Sequence, residues 1–205
     1  MVRRYAFTMI ELIFAIVVIA ISVMSLPMMT QVTSKGIESS LVQEAIFAAA
    51  TKLNEAVTYR WDENSIDPLQ PDSLSKIIST DVGGCATAGQ RAGFIAQLMH
   101  RRCLNDVTIR PSTTLGKDAG DLDDLDDTVE TDVPLFSAAP SAEAYKKSYT
   151  SKIAVIYAAF GSITAASQNM KKITVTISDN VGVVTSLSTY SANIGEIDYF
   201  KRSFQ

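Results

Sequence analysis

The N-terminal segment constrains this chain more than any other part of it, because it is one long apolar stretch. From residue 7 to residue 29 there are 23 residues and a single charge, Glu11. A helix needs about 20 predominantly apolar residues to cross the hydrocarbon core of a membrane, so the segment is long enough to span one. Arg3 and Arg4 precede it. The positive-inside rule therefore predicts a cytoplasmic N-terminus, with the rest of the chain on the far side.

Three interpretations compete for this segment. A secretory signal peptide fits the basic start, but the sequence SLPMM at residues 25–29 offers no convincing A-x-A cleavage site, and the charge of Glu11 does not fit. An ordinary single-span anchor also leaves Glu11 unexplained. A carboxylate inside a membrane is costly and indicates a function with a specific partner. The third interpretation supplies that partner.

The third interpretation rests on the sequence AFTMIEL at residues 6–12, which resembles the processing site of type IV pilins and type II secretion pseudopilins. In that family a dedicated aspartic membrane peptidase removes a short basic leader. It cuts before a phenylalanine or methionine, and a glutamate is the fifth residue after the cut. The resemblance implies that residues 1–6 are the leader, that the cut falls between Ala6 and Phe7, and that the peptidase N-methylates Phe7. Ala6 stands where the family usually has glycine.

A neighbouring copy of the chain would give Glu11 a physical role. Cleavage exposes an α-amine at Phe7, near the start of the same helix. A neighbour shifted along the helix axis could pair its amine with the Glu11 carboxylate, and a paired charge inside a membrane is far less costly than an unpaired one. The resemblance implies three partners: the leader peptidase, other pilin or pseudopilin subunits in a helical filament, and an assembly platform in the inner membrane.

The helix is predicted to continue beyond the membrane-spanning segment at 7–29. Pro27 lacks an N–H and its ring crowds the preceding turn, which predicts a kink. The resemblance implies instead that this region melts when subunits pack into a filament. The continuation at 30–61 is amphipathic, and it is expected to end near residues 61–64. One of its faces carries the apolar residues expected to pack on a globular domain, namely Val42, Ile46, Ala49, Leu53 and Val57.

The C-terminal third of the globular head at 62–205 is predicted to be β structure. Residues 153–157 are a candidate buried strand, and the stretch that begins at Lys172 alternates between apolar and hydroxyl side chains. An Asp-Asn pair then predicts the turn of a hairpin over 171–190, which looks like the last two strands of minor pilins and pseudopilins. The expected fold class is α+β and pilin-like: a long N-terminal helix packed on a small antiparallel sheet.

The two cysteines, Cys85 and Cys103, are 18 residues apart. If the head lies outside the cytoplasm, its compartment allows a disulfide. Closing a loop of this size would stabilise the fold by about 3 kcal/mol in the chain-entropy model. Two buried thiols or a reactive pair are the alternatives.

Residues 118–132 have the most unusual composition in the chain, with eight acidic and no basic residues among fifteen. Calcium prefers several oxygen ligands, but an EF-hand template started at Asp121 fails at its fifth and sixth positions. A solvated acidic loop without metal is the alternative to a calcium site. The candidate calcium ligands are Asp121, Asp123, Asp124, Asp126 and Asp127.

Charge and histidine content limit the classes of function. The chain has 18 basic and 22 acidic residues, a formal charge of −4, and this acidic balance argues against nucleic-acid binding. The single histidine excludes a multi-histidine metal site. No nucleophile with an adjacent base is evident in the sequence, so we do not expect an enzyme.

The resemblance implies a structural subunit of a type II secretion pseudopilus, a short fibre that helps to move folded proteins out of the periplasm. A minor type IV pilin in adhesion, twitching motility or DNA uptake fits the same N-terminal sequence. A membrane-anchored, calcium-dependent binding protein or enzyme is the third hypothesis. The first two imply a single span in the bacterial inner membrane and a periplasmic head, with the assembled filament in the periplasm or at the cell surface.

Overall fold

The computed structural model of the protein describes most of the chain in eight stretches, and the predicted leader at 1–6 lies outside them. The chain divides into two compact units, Met1–Glu44 and Ala45–Gln205. The described stretches are residues 8–69, 74–80, 85–86, 90–91, 101–118, 122–135, 148–159 and 167–197.

The first element is a single long helix, α1, from Met9 to Thr58. Within the described residues it is the only helix long and apolar enough to cross a membrane, and its side chains are exposed from Met9 to beyond Val32. The helix includes Pro27, and the kink there stays a prediction. Hydroxyl groups on both sides of the proline bond to carbonyls one turn earlier, which satisfies them without water: Ser22 to Val18, Ser25 to Ser22, Thr30 to Pro27 and Thr33 to Met29.

The helix ends before the predicted residues 61–64. The backbone of Arg60 already pairs with that of Asp124 in an isolated β-bridge, and the Arg60 carbonyl accepts the N–H of Leu125. The Asp62 side chain then caps a 3-10 turn at Glu63–Ser65 by accepting the N–H of Asn64. The chain therefore contacts the acidic stretch of the head from Arg60 onward, two residues after α1 ends at Thr58.

The head contains a four-stranded antiparallel sheet with its strands in sequence order. Two short strands come first, β1 at Cys85–Ala86 and β2 at Gln90–Arg91, and they pair with each other. The sheet that follows is a meander in which each strand pairs with the next. Its strands are β3 at Glu130–Pro134, β4 at Thr150–Ala158, β5 at Ser167–Ser178 and β6 at Val183–Ala192. The predicted strand at 153–157 and the predicted hairpin are both present, and the strands are longer than predicted.

The core lies on one face of this sheet. Successive side chains of a strand point to opposite faces, so the alternation in β5 buries one set and leaves the Thr and Ser set half-buried. Three alanines of α1 belong to the same core cluster. The buried strand residues are Ile153, Val155, Ile173, Val175 and Ile177.

The buried face of α1 agrees with the predicted one in part, since Ala49 is buried in the core and Leu53 packs against it, as predicted. Ala45, Ala49 and Ala56 are fully buried, whereas Val42, Ile46 and Val57 of the predicted stripe remain 37 to 41 % exposed. An alanine face lets helix and sheet backbones approach closely, and the larger residues then lie on the flank of the contact. The sequence could not separate the two faces because they are adjacent arcs of one apolar surface.

A disulfide joins Cys85 to Cys103, whose Cα atoms are 5.8 Å apart. The backbone of Cys103 also pairs with that of Ile77 in an isolated β-bridge. The Asn193 side chain then ties this region to the end of β6, since its amide accepts the N–H of Ile78 at 3.0 Å and donates to the carbonyl of Ile78 at 2.8 Å. The disulfide therefore lies in a segment that is itself anchored to the sheet.

Candidate functional sites: an apolar helix and a buried ionic cluster

The first candidate site is the start of α1. Glu11 lies in the first turn of the helix, where its N–H bonds to the carbonyl of Thr8. Its side chain is exposed, and residues 8–34 contain no Lys or Arg. A counter-charge for Glu11 must therefore come from outside that stretch. Ala6 and Phe7, the predicted cleavage and methylation residues, lie outside the described residues.

The second candidate site is a buried ionic cluster in the head, centred on Lys171. Lys171 occupies an inward position of β5 and is fully buried. Its ammonium donates to the carbonyl of Trp61 at 2.7 Å, to Asp126 Oδ1 at 2.5 Å and to Asp62 Oδ2 at 3.2 Å. An ammonium has three N–H donors, so each donor has an oxygen.

Aromatic rings enclose the ammonium on the remaining sides. It lies 4.8 Å from the centre of the Trp61 ring and 5.9 Å from that of Tyr157, distances at which a cation is attracted to the ring face. The Tyr157 hydroxyl donates to the carbonyl of Ser112 at 2.6 Å. Burial raises the pKa of the Tyr157 hydroxyl, and the carboxylates of the cluster raise it further.

Asp62 is held by backbone groups from two segments. Its Oδ1 accepts the N–H of Asn64 at 3.1 Å, and its Oδ2 accepts the N–H of Ser112 at 3.0 Å as well as the Lys171 ammonium. A carboxylate that accepts several N–H bonds has its charge satisfied without water. Asp62 is therefore a fixed anionic partner for Lys171.

The acidic stretch provides the other two carboxylates of the cluster. Asp126 Oδ2 accepts the N–H of Gly116 at 3.2 Å, on the side of the carboxyl away from Lys171. Asp124 accepts the N–H groups of Glu63 and Asp126, each at 2.8 Å. Burial raises the pKa of Asp124 to about 7, with a further contribution from the charge of Asp126, and Lys171 partly offsets both.

Asp127 organises the acidic stretch from within. It is buried, which raises the pKa of its carboxyl, but the N–H groups of Asp118, Asp123 and Asp124 bond to it and bring that pKa below its usual value. Asp124, Asp126 and Asp127 are all only 4 to 5 % exposed. The expectation of a solvated acidic loop is therefore wrong for these three residues. Their charges are satisfied by N–H groups and by Lys171.

Among the predicted calcium ligands that the structure describes, two lie at one centre. Asp124 and Asp126 join Asp62, with one oxygen from each within 4.8 Å of the others. Asp127 faces backbone N–H groups, Asp123 lies 3.8 Å from Arg60, and Asp121 lies outside the described residues.

An internal cation already lies at this centre, because the Lys171 ammonium contacts both Asp62 and Asp126. Calcium would have to displace it to bind all three carboxylates. The site formed by these three carboxylates therefore does not fit calcium while the Lys171 ammonium contacts two of them. Calcium binding elsewhere in the acidic stretch stays a prediction.

Asp62 and Lys171 were not predicted as site residues from the sequence. One signal for Lys171 was available: the period of two in β5 places it on the same face as Ile173, Val175 and Ile177, and a lysine on a buried face requires a partner. No comparable signal marks Asp62, which lies 109 residues away in sequence.

Comparison of the chain with protein-family models, curated proteins and solved structures finds no match.

Proposed function

We propose that this chain is a structural subunit of a type II secretion pseudopilus, which assembles through α1 and presents the head along a fibre. The observation that carries the proposal is the apolar part of α1, exposed throughout and carrying one acidic residue in its first turn. A helix that is apolar all round must be covered by lipid or by other helices. A subunit that passes from membrane to filament has this helix covered first by lipid and then by the helices of other subunits.

Glu11 supplies the selectivity in this proposal. The carboxylate has no basic side chain between residues 8 and 34, and leader removal would create an α-amine at Phe7. In a staggered pair of subunits, the amine of one copy would neutralise Glu11 of the next. An unpaired ionisable group in an apolar environment is penalised, so copies in the wrong register would associate more weakly.

The part of α1 that belongs to the second unit has an apolar flank of its own. Ile46 and Val57 are about 40 % exposed and Phe47 is 71 % exposed, beside the buried alanine face. A second copy of this chain is the occupant that we propose for this flank, because its apolar helix is the surface that a fibre brings alongside. The disulfide between Cys85 and Cys103 fits a head in an oxidising compartment such as the periplasm.

Replacement of Glu11 tests the proposal. In cells that carry the leader peptidase and the assembly platform, Glu11→Ala is expected to accumulate in the inner membrane but to yield no assembled fibre. Glu38→Ala is the matched control, since Glu38 is an exposed acid of the same helix beyond the apolar segment. Fibres from Glu11→Ala at the control level would contradict the proposed role of Glu11.

A minor type IV pilin is the second candidate, because the same features of α1 support it. Deletion of the chain distinguishes the two. Loss of secretion of periplasmic cargo with surface fibres intact supports the pseudopilus. Loss of surface fibres or of twitching supports the type IV pilus.

A further inference from the structure

Lys171 and Asp126 form an ion pair whose geometry also suits a reaction between the two side chains. The Lys171 Nζ lies 2.5 Å from Asp126 Oδ1, and both side chains are buried, with 0 % and 5 % of their surfaces exposed. The carboxyl carbon is one C–O bond beyond that oxygen. Reacting atoms about 3–3.5 Å apart form a near-attack arrangement, and such proximity corresponds to a very high effective concentration.

We propose that Lys171 and Asp126 condense to an intramolecular isopeptide bond, an amide between Lys171 Nζ and Asp126 Cγ that crosslinks β5 to the acidic stretch. The inference is independent of the proposed function. It rests on the contact between the two side chains, on their burial, and on two further groups that face them.

Asp62 is positioned as the proton acceptor. Its Oδ2 lies 3.2 Å from Lys171 Nζ, and it is fixed by the N–H of Ser112. An ammonium is not a nucleophile, so it must first lose a proton, and an adjacent carboxylate is the group that can take it. The rings of Trp61 and Tyr157 lie 4.8 and 5.9 Å from the ammonium, and the Lys171 side chain is fully buried.

Gly116 is positioned to stabilise the developing oxyanion. Its N–H donates to Asp126 Oδ2 at 3.2 Å, the carboxyl oxygen that does not face Lys171. When the amine attacks the carboxyl carbon, negative charge builds on the oxygen that stays in the amide. A backbone N–H already aimed at that oxygen lowers the barrier.

The step balances without a further reactant. The Lys171 ammonium gives one proton to Asp62, which passes it to Asp126 Oδ1, and the neutral amine attacks Cγ of the resulting carboxylic acid to form the C–N bond. The bond from Cγ to Oδ1 then breaks, and Oδ1 leaves as water with that proton and a second proton from Nζ. The products are a neutral amide, one water and the regenerated Asp62 carboxylate. A buried ion pair, which is costly to desolvate, is thereby replaced by an uncharged link.

Mass spectrometry of the purified full chain tests the proposal, after reduction of its disulfide. The expected mass is one water below that of the sequence, whether or not residues 1–6 have been removed. A protease that cuts after Lys and Arg is expected to yield a branched product joining residues 118–146 to residues 153–172, since a linked Lys171 is no longer cut. A chain at its full mass, with a free peptide of residues 153–171, would overturn the proposal.

Matched variants test the role proposed for the Lys171 amine and for the Asp62 carboxylate. Lys171→Arg retains a cation without the amine and is expected at full mass, whereas Lys172→Arg, the same change one residue later, is expected to keep the crosslink. Asp62→Asn removes the proton acceptor and is expected to leave the two peptides separate. Unchanged crosslinking in Asp62→Asn would contradict the proposed proton transfer. The peptide readout requires no leader removal or fibre, so its failure would leave the proposed function intact.

Discussion

At the residue scale, Lys171 joins three segments that are far apart in sequence. Its ammonium contacts the Trp61 carbonyl and carboxylates at Asp62 and Asp126, so the end of α1, the acidic stretch and β5 meet at one charge. The strand alternation could have predicted that Lys171 points inward. The identity of its partners could not be predicted, because it depends on which loops cross that end of the sheet.

Removal of the buried ammonium is expected to be severely destabilising. In Lys171→Met the buried carboxylates of Asp62 and Asp126 have neither a cation nor an amide link, and leaving buried charges uncompensated costs about 3–5 kcal/mol. Lys172→Met is the control, because Lys172 is half-buried on the opposite face and is expected to change stability by about 0.5 kcal/mol. Urea unfolding of the full chain, followed by fluorescence of its single tryptophan, Trp61, measures both. Equal effects of the two variants would contradict this account of the cluster.

The pKa of Asp124 predicts a pH dependence of stability. The folded pKa of about 7 lies above the unfolded value of about 3.9, so the folded state binds more protons between these values. The contribution of Asp124 is therefore fully present below about pH 4 and is lost as the pH rises through about 7. Asp124→Asn is expected to flatten this slope in the free energy of unfolding. Asp123→Asn, a neighbour in the same stretch, is the control, and an unchanged slope in Asp124→Asn would count against the assignment.

At the element scale, the sequence predicted which elements form better than how they pack. A long apolar helix and a strictly alternating hairpin are local patterns, and the helix and the antiparallel sheet are both present. The buried face of α1 was predicted only in part: Ala49 and Leu53 pack on the core as predicted, whereas Ala45 and Ala56 were missed. The reason is physical: alanine is small enough for a close contact, and a hydrophobicity pattern gives more weight to large residues such as Ile46.

Enlargement of the alanine face tests this packing. Ala49→Leu inserts a larger side chain where α1 meets the sheet, and overpacking of a close contact is expected to cost about 1–3 kcal/mol. Ala50→Leu makes the same change one residue later, at a half-buried position, and is expected to cost less. Urea unfolding of the two variants compares them. A larger loss for Ala50→Leu would contradict the observed orientation of α1.

At the scale of the whole molecule, the chain combines one long helix, apolar in its first half, with a head that has its own core. The assembly hypothesis could be formed from the sequence alone, because the apolar length, the basic start and the position of Glu11 are all local. The ionic cluster in the head could not, because its members come from residues 61–62, 124–126 and 171. The proposed filament depends on the first of these features, and stability of the head depends on the second.

The intact mass of the protein extracted from membranes, with and without the leader peptidase in the host, tests the central claim most directly. The proposal predicts loss of residues 1–6 and methylation of Phe7 only when the peptidase is present. Both forms would carry any internal crosslink equally, so the difference in mass between them reports only leader removal and methylation. An uncut chain in the presence of the peptidase would indicate a plain membrane anchor, and a cut beyond Pro27 a secreted protein. Either result would remove the basis for pairing Glu11 with Phe7.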